Sequence, residues 1–233
     1  MNLKTTLRQA GYDLIEAPIR NHKPLQLWLK KPSRPIELYY EHLSHALDSN
    51  LPLGIEEDAG LSVDYSKSQS YKFNIGITVL EQLLTSMGLG NLSFGLKLNG
   101  GKKVSISYNS SKTLTVPTGP LSDYMADSDF RHANPEFLRN ANHDNIHVIS
   151  GVLMAKDIMA EIETTSDIDA NVAVEFAEMV DGKLDFTLAN EKKLVIKSEG
   201  NALFPVAVKA NRLDWDKGEY DKMTLITGNR FFF

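Results

Sequence analysis

Two rhythms of apolar residues run along the chain. From position 92 to 98, Leu92, Phe94, Leu96 and Leu98 alternate with Ser93, Gly95 and Lys97, the period-two pattern of a strand with one dry and one wet face. Gly100-Gly101 supplies a turn, and Val104, Ile106 and Tyr108 then alternate with Lys103, Ser105 and Ser107. This spacing predicts a hairpin over 92–108. A second antiparallel unit is predicted over 157–177. Ile158, Ala160 and Ile162 oppose Asp157, Glu161 and Glu163, and Val172, Val174 and Phe176 form the return arm after a polar tip. Fourfold spacing takes over elsewhere. Ile75, Val79, Leu83 and Met87, flanked by Leu80 and Leu84, predict a helix that stops at Gly88. Shorter helices are expected over 3–10, with Gly11 as the stop, over 36–47, and over 121–130 within a polar crossover at 117–145. YDLIEA, LQLWLK, KLDFTL and KLVIKS read as strands. Strands collected together with helices set apart predict an α+β fold, a twisted and mainly antiparallel sheet with surrounding helices.

Composition narrows the function classes. A length of 233 residues with 42% hydrophobic content supports a sizeable core, and a formal charge of -5 without a Lys/Arg-rich run argues against nucleic-acid binding. The chain has no cysteine, which removes disulfides, thiol catalysis and thiolate zinc sites. MNLKTTLRQAGY lacks the apolar centre of a secretory signal, and no run of about 18 apolar residues occurs, so a cytoplasmic location is expected. Spanning strands escape that test. They need only about 9–11 alternating residues each.

Candidate chemistry is sparse. His143 and His147 lie four apart in NHDNIH, a spacing that on a helix can hold zinc, but the stretch is polar and has no HExxH glutamate. Glu161 and Glu163 share a strand face and read as solvated side chains rather than a glycosidase pair. The glycines of GLGNLSFG, residues 88–95, run from helix to strand, the reverse of a phosphate-binding turn, and there is no GxSxG elbow. No enzymatic activity, metal or cofactor is expected. The physical oddity is the end of the chain, GNRFFF. Phe231, Phe232 and Phe233 would be an aggregation liability without an apolar partner.

Several segments, in order, are similar to bacterial gasdermins: LRQAGYDLIEAPIRNHKPLQLW, the helix ending in SMGLG, NLSFGLKL, HVISGVLMAKDIMAEIE and LFPVAVKANRLDWD. The resemblance spans nearly the whole chain and rests on order and spacing. It implies a gasdermin-like pore-forming domain over 1–217 and an autoinhibitory tail over 218–233 in which Phe231 to Phe233 dock. It further implies activation by a protease, self-association into a pore in the bacterial inner membrane, and cell death in anti-phage defence. Lys217, Lys222 and Arg230 are candidate cleavage positions. Leu92, Phe94, Leu96, Leu98, Val104, Ile106, Ile158, Ile162, Val172, Val174 and Phe176 are expected to face lipid after insertion. Lys97, Lys103, Glu161, Glu163 and Glu175 would face water. Aspartate at Phe94 or Val174 is then expected to block permeabilisation and spare the soluble fold. Family members commonly carry a lipidated N-terminal cysteine, which this chain lacks. An alternative is a protein of the same fold that never inserts and acts as an inhibitory partner; a hydrolase with an unrecognised site is a third reading.

Overall fold

The computed structural model describes residues 3–15, 22–59, 73–75, 77–86, 92–108, 110–132, 134–156, 159–180, 184–198, 203–228 and 230–231. The chain opens with α1 (Leu3–Gln9), β1 (Asp13–Leu14), β2 (Leu27–Leu29) and β3 (Glu37–Tyr40). A 3-10 turn at Leu43–His45 then leads to β4 (Leu47–Asp48), β5 (Glu56–Ala59) and β6 (Phe73–Ile75). Next come α2 (Ile77–Ser86), α3 (Phe94–Lys97), β7 (Lys102–Ser107), β8 (Ser110–Thr115), α4 (Thr118–Asp127), β9 (Asp129–Phe130) and α5 (Pro135–Ala141). The last part holds β10 (Ile146–Lys156), β11 (Met159–Thr164), α6 (Ala170–Met179), β12 (Leu184–Asn190), β13 (Lys193–Ser198), β14 (Phe204–Asp216) and β15 (Glu219–Ile226).

Two antiparallel sheets carry the architecture, as the α+β expectation requires. The spine of the eight-stranded sheet is the β10/β14 pair, His147 opposite Arg212 through Ala155 opposite Phe204. Short strands tile its outer edges. On β10, β2 covers Ile146–Val148 and β8 covers Gly151–Lys156; on β14, β1 covers Ala207–Val208 and β15 covers Ala210–Asp216. Both faces of β10 are dry, which explains its near-continuous apolar sequence. Gly151 serves this packing, because a Cβ there would lie 2.9 Å from the Tyr12 hydroxyl.

The five-stranded sheet runs β12-β13-β11-β7-β6. It joins the first sheet through a shared ladder: Lys102 faces Thr164 and Ser107 faces Met159 in β7/β11, while Ser110 faces Lys156 and Thr115 faces Gly151 in β8/β10. The offset is the same in both sheets, so the register carries across without a slip. One face of this second sheet is covered by α2, α3 and α6. Leu80, Leu84, Phe94, Ala173 and Phe176 pack there on Val104, Ile162, Leu194 and Ile196.

Two predicted strands are helices. Residues 92–98 do not form a hairpin arm with β7, because β11 holds one edge of β7 and β6 holds the other, with Ile75 opposite Val104. Without a free edge, the segment closes on itself as α3, where Leu98 N–H donates to the Phe94 carbonyl at 3.0 Å. Residues 172–176 fail as a return arm for the same reason, since β13 and β7 occupy both edges of β11. They form α6 instead, capped by Asp169, whose carboxylate accepts the Asn171 N–H at 2.8 Å. The helix expected over 36–47 is β3, the 3-10 turn and β4, and Tyr39 and Tyr40 use the extended backbone to reach Phe137, with ring centroids 5.8 and 5.9 Å away. The helix expected over 121–130 is α4, displaced toward the N-terminus. Met87 and Gly88 lie outside the described residues.

Candidate functional site

The C-terminal segment builds its own site. β14 turns into β15 through Lys217 and Gly218, both at positive φ (53° and 92°), and the Gly218 N–H donates to Asn142 Oδ1 at 2.9 Å. β15 then returns along β14, so that Asp216 faces Glu219 and Ala210 faces Ile226. Beyond Ile226 the chain bends at Gly228, whose φ of 78° suits glycine. The Gly228 N–H donates to Asp13 Oδ1 at 3.1 Å, and the same buried carboxylate oxygen accepts from Arg8 Nε at 3.3 Å. The N-terminal helix and the C-terminal segment therefore meet at one buried acid.

Phe231 is fully buried. It sits on the sheet face opposite α4 and α5, among Ile15, Trp28, Ile149, Val152, Val208 and Ala210. Its ring meets Trp28 edge-on, with centroids 6.3 Å apart at 81°, a favourable aromatic geometry. His147 lies 5.8 Å away and His22 packs on Trp28 at 5.2 Å. Gln26 holds the indole, its Oε1 accepting from Trp28 Nε1 at 3.3 Å and from the Lys23 N–H at 3.0 Å. Burial pushes His22 down to about 4. It does the same to His147, where Lys30 and Arg212 push further down while the Asn145 carbonyl and Asp214 oppose, again giving about 4. Both imidazoles around the Phe231 pocket are therefore neutral at pH 7. Enclosing one phenyl ring in this way is worth about 1.5–3 kcal/mol before the cost of ordering the segment is subtracted.

Of the other proposed tail residues, Phe232 and Phe233 lie outside the described residues. Lys217, Lys222 and Arg230 are all exposed, with Lys222 Nζ 3.5 Å from Asp221. The residues expected to face lipid gather on the second sheet. Leu92, Phe94, Leu98, Val104, Ile162 and Phe176 are buried in its helix-covered core, and Val172 is packed against it. Ile106 is buried too, but beside Leu7 and Leu153. Leu96 (86%) and Val174 (58%) are exposed, and with Met179 (51%) are the three most exposed large apolar side chains among the described residues. Ile158 lies outside the described residues. Phe94 is wholly enclosed, its ring 4.5 Å from that of Phe176, so an aspartate there would bury an unpaired carboxylate in the soluble state and should destabilise it, which weighs against the expectation that this change spares the fold.

The polar counterparts do not share one face: Lys97 and Glu175 sit on the covering helices α3 and α6, and Lys103, Glu161 and Glu163 on the strands β7 and β11. Lys97 pairs with Glu175 at 2.7 Å, Lys193 pairs with Glu161 at 2.7 Å, and Lys103 and Glu163 are exposed. His143 and His147 do not converge: His143 follows α5 in an exposed turn, whereas His147 is a buried strand residue. No metal-ligating cluster occurs among the described residues. The pocket around Phe231 was not legible beforehand, apart from the exposed cost of the FFF terminus itself, because Asp13, Trp28 and His147 come from three distant segments.

A model of the Bacterial Gasdermin Family matches residues 15–219. The chain belongs to the bacterial gasdermin family. Two gasdermins are similar along most of their length. That of Gillisia limnaea is 20% identical over 92% of this chain and 82% of its own, and that of a Vitiosangium species is 21% identical over 86% and 77%. The gasdermin fold is shared with the solved structure of a bacterial gasdermin from Bradyrhizobium tropiciagri, at a TM-score of 0.57 and 13% identity, covering 95% of this chain and 90% of that one. The family match ends at residue 219, where β15 of this gasdermin begins.

Proposed function

We propose that this gasdermin is a latched pore former. Its residues 1–217 form the membrane-permeabilising body, and residues 218–233 form the tail that restrains it. The observation that carries the reading is the burial of Phe231 against Trp28 and His147, with the tail tied to β1 through Asp13 and Gly228. The tail is held by the β14/β15 ladder and, past it, by Gly228 and Phe231; exposed Lys217 lies before β15, Lys222 within it and Arg230 after it, so cleavage at Lys217 would free the whole tail only once that ladder opens.

Release would expose the free edge of β14 and the apolar face that the tail covers. In the inserted state, the proposed lipid-facing set extends from β7 and β11 into the segments now coiled as α3 and α6. Their alternating sequences already suit a wall with one side in lipid and one in water. No helix among the described residues is long and apolar enough to cross a membrane, so strands would be the spanning elements. Protomers would associate by pairing strand edges, as closed barrels do, because an unpaired edge is untenable in lipid. The reading is non-enzymatic, with the inner membrane as target and cell death during phage infection as its use.

Dye release from vesicles of anionic bacterial lipids tests this, comparing the full chain with residues 1–217 after both are shown to be folded. Leakage from the truncated protein alone supports the latch. Silence from both overturns it in favour of a non-inserting inhibitory partner of the same fold.

A further inference from the structure

The charge distribution is uneven. Between Glu16 and Glu37 the sequence holds Arg20, Lys23, Lys30, Lys31 and Arg34 and no acidic residue, in a chain of formal charge -5. Part of this basic stretch lines a cavity of about 460 Å³ between the turn that follows β2 and the end of α5, with Lys31, Arg34, Glu136, Arg139, His143 and Asn145 on its walls. We propose that this cavity binds a phosphate-type oxyanion, independently of whether the tail is a latch.

The walls are built to hold cations together. Arg34 N–H closes a turn on the Lys31 carbonyl at 3.2 Å, with Ser33 at a positive φ of 59°, which brings Lys31 and Arg34 to the same cavity. The other wall is fixed to this turn by Lys30 N–H donating to the Asn145 carbonyl at 2.8 Å. Three full cations face one carboxylate. Glu136 lies 3.4 Å from Lys31 and 3.8 Å from Arg139, long contacts on partly exposed groups that neutralise little. Arg34 forms no ion pair with the described residues. Arginine forks match phosphate oxygens two at a time, and a dianion would relieve the mutual repulsion of the cations.

The C-terminal end of a helix normally repels anions. Here its carbonyls are already engaged: Leu138 accepts from Asn142 N–H, Asn140 from Asn145 N–H and Ala141 from Asp144 N–H, all at 3.0 Å. The Arg139 carbonyl accepts His143 Nδ1–H at 2.6 Å, so a fourth carbonyl of this helix end is engaged as well. The volume suits a phosphomonoester or a lipid phosphate headgroup. It does not suit a nucleic-acid backbone, which needs an extended basic track.

The test uses the full chain and two probes: inorganic phosphate in calorimetric titration at constant ionic strength, and sedimentation with phosphatidylglycerol or phosphatidylcholine vesicles. The variants are R34A/R139A, both at exposed positions, and K192A/K197A, which removes the same two charges at exposed positions away from the cavity. Saturable phosphate binding that weakens at least tenfold in R34A/R139A and is kept in K192A/K197A supports a site for a soluble phosphate. Sedimentation with phosphatidylglycerol alone, lost in R34A/R139A and kept in K192A/K197A, supports a lipid headgroup. Absence of both kinds of binding, or equal losses in R34A/R139A and K192A/K197A, overturns the proposal.

Discussion

The two sheets of this gasdermin solve burial differently. In the eight-stranded sheet, β10 and β14 pair along most of their length and β10 is dry on both faces, so apolar sequence and strand coincide. In the five-stranded sheet, the dry face is closed by α2, α3 and α6, elements of ten, four and ten residues. Helices this short are marginal by themselves and depend on tertiary packing. The first sheet is a frame; the second carries segments whose sequence suits a strand but whose neighbours leave no edge to join. Leu96 and Val174 pay for that mismatch with exposure.

The contrast can be broken most severely at the aromatic centre of the second sheet. Phe176 is fully buried against Phe94 and Phe186, at 4.5 and 5.6 Å, so Phe176→Ala should cost about 3–5 kcal/mol in denaturant unfolding. A loss under 1 kcal/mol would show that α6 is not held by this cluster.

Acid should act on the first sheet instead. His22 and His147 are held at about 4 against an ordinary 6.5. A depressed imidazole favours folding fully above 6.5, and that contribution is lost as the pH falls from 6.5 through 4, because protonation must then expose the ring. Each histidine is worth about 3 kcal/mol over that window. Chemical unfolding at pH 7 and pH 4.5 should reveal the slope, and His147→Gln should flatten it by about half. An unchanged slope would place the sensitivity elsewhere.

Removing the acid under the tail should have a smaller effect. Asp13→Ala deprives Gly228 N–H and Arg8 of their shared acceptor and should cost about 1–2 kcal/mol. Faster hydrogen exchange at Gly228, with β10 still protected, would locate the loss in the tail. The smallest structural effect is expected at Val174→Asp, within about 0.5 kcal/mol of wild type because the side chain is 58% exposed. If Val174 faces lipid after insertion, the same change abolishes leakage by the truncated protein. Stable protein that still leaks would remove Val174 from the lipid face.

Sequence periodicity was a sound guide where a strand had an edge to occupy. KLDFTL and KLVIKS became β12 and β13, and Leu3–Gln9 became α1 with Gly11 as its stop. It failed at 92–98 and 172–176, because alternation reports which faces a residue can serve, not whether β7 or β11 has an edge left. That is a long-range fact set by β6 and β13. The FFF terminus signalled that a partner was needed, but the partner's identity depended on Trp28 and His147 being brought together by β2/β10 pairing, Trp28 opposite His147.

The most direct test of the latch leaves the chain uncut. Full-length Phe231→Asp buries an unpaired carboxylate beside Trp28 if the tail stays docked, so the tail should release, whereas Phe231→Leu keeps the pocket filled. With both proteins folded, vesicle leakage from Phe231→Asp and none from Phe231→Leu is the predicted result. A folded Phe231→Asp protein with a displaced tail that leaves vesicles intact would contradict the account.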